Sequence, residues 1–130
     1  MQILSALFAD DIALRQVDGP STRIDLTGIQ FSAVSPGPFP VTVAPHLIVI
    51  VRCPVGQDGE GVLEVVYRRE GEQIARNVQP ISVEPGKFSY RLVRGEMDFD
   101  EPGTVEASCR IGTSEDVVVV PFTLLPPVDG

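Results

Sequence analysis

The sequence of 130 residues predicts an all-β fold, an antiparallel β-sandwich of the immunoglobulin-like kind with about eight or nine strands. Three observations lead there. The chain holds 12 glycines and 12 prolines, well above the roughly 12% that the two contribute to ordinary globular chains. From residue 21 onward no stretch free of both exceeds nine residues, Val62–Glu70 being the longest. An average helix takes about 11–12 residues and an internal proline costs about 3 kcal/mol, so long helices are excluded there. The 19 valines and 9 isoleucines supply β-branched side chains suited to a pleated surface. Finally, the apolar runs fall between turn signals at the spacing of sandwich strands. A chain of this length, 43% hydrophobic, fits one domain over residues 1–130 with enough apolar area for a core.

Taken in order, Ile3–Ala9 and Ile12–Val17 open the chain and Asp18-Gly19-Pro20-Ser21 turns it. The first run also has helical spacing, with Ile3 and Leu7, Leu4 and Phe8, so a short N-terminal helix is the alternative there. Arg23–Val34 follows, and its apolar parity changes at Gly28, from Ile24 and Leu26 to Ile29, Phe31 and Ala33, which points to a bulge or bend. Pro36 to Pro40 form an irregular connection. Val41–Cys53 reads as a long strand with Pro45 as its point of breakage. Val62–Arg69 and Gln73–Val78 flank Glu70-Gly71-Glu72 as a hairpin. Phe88–Val93 alternates, with Phe88, Tyr90 and Leu92 on one face. Val105–Ile111 and Asp116–Leu125 close the chain around Gly112-Thr113-Ser114-Glu115. A parallel sheet would need crossover helices that the sequence cannot build, so two packed antiparallel sheets are the natural closure.

Two segments are apolar on both faces, Leu47–Val51 and Val117–Val120. A sandwich strand usually keeps one face wet. Leu47, Ile48, Ile50, Val117, Val118, Val119 and Val120 are therefore interface candidates, and a homo-oligomer, a dimer first of all, or another protein is the expected partner. A central strand under a folded-over loop or terminus is the competing explanation.

Candidate chemistry is sparse. Cys53 and Cys109 share parity with inward residues of their strands, so two buried thiols are expected; a disulfide between facing strands is the other arrangement. No tryptophan is present to pack on such a bridge, and Ala107 stands where a tyrosine corner would be. His46, the single histidine, follows Pro45 without any nucleophile motif, so no catalytic residue is assigned. Glu96, Asp98, Asp100 and Glu101 could converge in a loop before Pro102-Gly103. They are the candidate ligands for a divalent ion, although an acidic solvated turn explains them as well. Gly56-x-x-Gly59-x-Gly61 has no helix after it to hold a phosphate, and no cofactor is expected.

The charge balance narrows the partners further. Ten basic against 18 acidic residues give −8, with a single lysine, Lys87, and scattered arginines. Nucleic acid and anionic membranes require clustered cations, so neither is expected. The longest aliphatic run, Leu47–Val51, is far short of the ~20 residues of a membrane helix. Ile3–Ala9 has no basic residue before it and is not read as a signal peptide; a cytoplasmic protein is expected.

Leu7-Phe8-Ala9-Asp10, Val17-Asp18-Gly19, Arg23 to Gly28, Pro36 to Pro40, and the Pro102-Gly103 and Pro121-Phe122 endings together resemble an uncharacterised family of short bacterial proteins classed as a domain of unknown function. Pro20-Ser21-Thr22 is an insertion relative to that pattern. The resemblance implies an all-β fold and transfers no activity or site residue. The expectation is a non-enzymatic binding or structural module working through protein–protein interfaces, with a ligand- or metal-binding domain using residues 96–101 as the alternative.

Overall fold

The computed structural model describes residues 1–16 and 22–128. Its eleven strands are β1 (Gln2–Gln16), β2 (Thr22–Ile29), β3 (Ser32–Val34), β4 (Val41–Val43), β5 (His46–Arg52), β6 (Glu60–Arg69), β7 (Glu72–Ser82), β8 (Phe88–Arg94), β9 (Met97–Phe99), β10 (Gly103–Ile111) and β11 (Val118–Leu125). No helix occurs among the described residues, so none is long and apolar enough to cross a membrane. The expected turn over Asp18–Ser21 lies outside them.

Three sheets form, none closed on itself. One has the order β2-β1-β5-β8, the second β3-β11-β10-β6-β7, and β4 pairs with β9 alone. Every pairing is antiparallel except β3 with β11, which is parallel. The four- and five-stranded sheets share one apolar core. Ala6, Phe8, Leu47, Val49, Val51 and Val93 come from the first, and Leu63, Val65, Tyr67, Val105, Phe122 and Leu124 are among those from the second. Phe8 and Phe122 meet across the gap with ring centroids 5.2 Å apart and planes tilted by 53°, a favoured aromatic arrangement. Burying each such side chain contributes about 1.5–3 kcal/mol, so the alternating inward residues hold the two sheets together.

Local chemistry explains most boundaries. Between Arg69 and Glu72, which are register partners, Glu70 (φ 53°) and Gly71 (φ 80°) both take left-handed backbone. That is a two-residue type I′ turn, whose twist matches the flanking strands. β7 then runs past Pro80, which is tolerated because β7 is a sheet edge. Gly28 has φ +68°, and any Cβ there would overlap the Asp10 carboxylate. The register nevertheless continues across it, from Asp11↔Thr27 to Ala9↔Ile29, so the predicted feature is a local bend with no inserted residue.

The strand inventory departs from expectation in three places and follows it at Pro45. Ile3–Ala9 and the described part of Ile12–Val17, as far as Gln16, are one continuous strand, β1, with a register shift between Ile3 and Ser5, so the alternative N-terminal helix does not form. Arg23–Val34 splits after the Gly28 bend, β2 staying on the first sheet and β3 crossing to the edge of the second. Val41–Cys53 breaks at Ala44-Pro45 into β4 and β5. The acidic run expected as a loop contains β9, because Met97 and Phe99 alternate inward and are buried.

Candidate functional site

The outer face of the four-stranded sheet is built by register. With Leu47, Val49 and Val51 in the core, Ile48 and Ile50 point the other way. The same alternation turns Leu7 outward on β1, and Phe88, Tyr90 and Leu92 outward on β8. Cross-strand rows result: Leu7–Ile48–Leu92 and Ser5–Ile50–Tyr90, with Leu4 at the bulge beside them and Phe88 opposite Arg52. Ile48 is 1% exposed, whereas Leu4 is 51%, Phe88 40% and Leu92 41% exposed. Among the described residues no other sheet packs on these rows, and Ile48 at their centre is buried by its neighbours. Cross-strand pairs of large apolar side chains stabilise a sheet by about 0.2–1 kcal/mol each, yet here they remain at the solvent boundary.

The outward positions of β1 up to Ala9, of β5 and of β8 include no carboxylate. Their charged members are Arg52 at one end and Arg94 at the other, the latter opposite His46. On the inward side Arg91 sits at the edge, where its Nε donates to the Pro80 carbonyl of β7 at 3.4 Å and links the two sheets.

The outer face of the five-stranded sheet is different. Glu64 lies between two arginines: Arg76 Nη2 donates to Oε2 and Arg110 Nη2 to Oε1, each at 2.6 Å. Hydrogen bonds from Arg76 and then Arg110 hold its carboxyl below the usual carboxylate value. Arg68 donates to Ser108 Oγ, and Thr104 bonds Thr123 across the strands. The exposed Val117 and Val119 are set among these polar groups.

The sequence candidates distribute unevenly. Leu47 and Val120 belong to the core and Val118 packs against it, so these three do not offer an interface. Ile48, Ile50, Val117 and Val119 face outward, the first two on the four-stranded sheet and the last two on the five-stranded one. Cys53 and Cys109 are both buried and free, with no disulfide between them; burial pushes the Cys109 thiol up to about 12, which keeps it protonated. His46 opens β5 and borders a shallow cleft with Ala9, Asp10, Gln30, Ala44 and Pro45, which offers no hydroxyl or thiol nucleophile.

The acidic run does not converge. Asp98 Oδ1 accepts from Thr42 Oγ1 at 2.6 Å, and Glu101 lies 3.7 Å from the Arg69 guanidinium. Arg69 itself stacks over Phe99 at 5.1 Å. Glu96, Asp98 and Asp100 alternate with the buried Gly95, Met97 and Phe99 and point to solvent. Among the described residues no three His, Cys, Asp or Glu side chains are placed to hold a metal ion.

Leu4, Leu7, Tyr90 and Leu92 were not among the sequence candidates, though the alternation of β8 was visible. Its outward direction was not, because that depends on pairing with β5. Compared with known proteins, the chain matches no family model and no curated protein.

Proposed function

We propose that the chain is a non-catalytic binding module of β-sandwich, immunoglobulin-like form, acting through protein–protein contact at the outer face of its four-stranded sheet, with a second copy as partner. The observation that carries this reading is the apolar rows around Ile48 and Ile50, which lack any charge within them and leave Leu4, Phe88 and Leu92 at least 40% exposed. Contiguous apolar area of this kind on a sheet usually marks association. The five-stranded face favours solvent, since Glu64 is paired with Arg76 and Arg110, Arg68 with Ser108 and Thr104 with Thr123, and its exposed Val62, Val78, Val117 and Val119 are interspersed with these polar groups. Free thiols agree with a reducing, cytoplasmic setting.

Light scattering of two single variants tests the assignment. Leu92→Asp puts a carboxylate into the rows and is expected to weaken assembly by about 2–3 kcal/mol, on the order of 100-fold in Kd. Val119→Asp, on the other sheet, leaves assembly unchanged. An undiminished assembly with Leu92→Asp removes the reading.

A further inference from the structure

β1 is far longer than its pairing with β5. That pairing ends at Phe8↔Leu47, and among the described residues β1 from Ala9 to Gln16 pairs with β2 alone, which has no further strand beside it. The two strands leave the sheet as a ribbon. One side of it is aliphatic, made of the cross-strand pairs Ile12↔Leu26 and Leu14↔Ile24; the other carries Asp11↔Thr27, Ala13↔Asp25 and Arg15↔Arg23. Leu14 is 58% exposed. A two-stranded ribbon is marginal in water by itself, and an aliphatic side with Leu14 exposed and Ile12, Ile24 and Leu26 only partly buried makes it more so.

We infer that the aliphatic side of the β1–β2 ribbon occupies the outer sheet face of a second copy of this chain, the two copies exchanging ribbons about a twofold axis. The inference rests on the sheet-face reading above and names its occupant. Three observations select that occupant. Ile12 and Leu14 continue the side of β1 that holds Phe8, while Leu7 is on the opposite side, so the ribbon cannot cover its own chain's face. Charge points the same way. The face has Arg52 and Arg94 and no carboxylate, and neither arginine makes an ion pair among the described residues. Stacking that face on its own twofold mate would set cations against cations, which disfavours association. The ribbon instead brings Asp10 at its root, on the same side of β1 as Phe8, Ile12 and Leu14 and not paired to a cation among the described residues. Size is the third point. A standard interface buries about 800 Å² on each partner over some 20–30 residues, more than four aliphatic side chains supply. Reciprocal exchange buries ribbon and face on both copies.

The test uses Leu14→Asp in the ribbon and Leu92→Asp in the face, both exposed positions, with thermal melting showing that each variant remains folded. Sedimentation equilibrium is expected to return the 14.0 kDa chain mass for each variant alone. Mixed in equal amounts at high concentration they form a heterodimer, since one chain supplies an intact face and the other an intact ribbon. If Leu14→Asp still dimerises alone, the ribbon is not the occupant, and the sheet-face reading survives. If Leu92→Asp still dimerises alone, the sheet-face reading fails and the inference with it. Two folded monomers that do not combine on mixing also overturn the inference.

Discussion

Tyr67 is the largest fully buried side chain among the described residues, and its hydroxyl has no hydrogen-bond partner among them. Its ring lies against Gly95, where any Cβ would overlap it. Burial raises its ionisation above the ordinary phenol value, so the group stays neutral and serves as packing. A desolvated hydroxyl without a partner costs about 1–3 kcal/mol. Tyr67→Phe keeps the ring and removes that cost, and is expected to stabilise the protein by about 1 kcal/mol, a rise of roughly 3–5 °C in Tm. A thermal melt shifted downward would mean that the hydroxyl is bonded in solution. Cys109 belongs to the same class of residue: a thiol pushed up by burial is a small apolar core group and not a nucleophile.

At the scale of strands, Glu64 ties β7, β6 and β10 together through Arg76 and Arg110. Its carboxyl is held below the ordinary 4.5, so the unfolded chain takes up the proton first as pH falls. The stabilisation is therefore complete above about pH 4.5 and is lost as pH drops toward the lowered folded value. Glu64→Gln lacks it at every pH. The difference in Tm between wild type and variant is expected to be largest near neutrality, to shrink below pH 4.5, and to narrow in high salt; a difference independent of pH would assign the loss to packing. This triad was not legible in the sequence, since its members are brought together by two strand registers. The Glu70-Gly71 hairpin was legible because a tight turn is local chemistry. So were the break at Pro45 and the bend at Gly28. What the residues could not reveal was which side of β8 faces in, or that Asp10-Asp11 leaves β1 unbroken. Alternation specifies two faces, and only pairing with β5 or β2 decides what each face meets. For the same reason Ile48 and Ile50, expected at an interface, face outward, while Leu47, expected there with them, belongs to the core.

Over the whole molecule, charge and apolar area are distributed unequally. The chain carries −8, yet the outward positions of β1 up to Ala9, β5 and β8 hold arginine and histidine and no acid. An acidic surface keeps copies apart at most approaches, and a face without acid leaves one approach open. In the proposed assembly this face is covered by a second copy of the chain. Sedimentation equilibrium of the wild-type protein across a micromolar concentration series tests it most directly. A species of twice the 14.0 kDa chain mass that dissociates on dilution is expected; a single 14.0 kDa species at every concentration would contradict a second copy on this face.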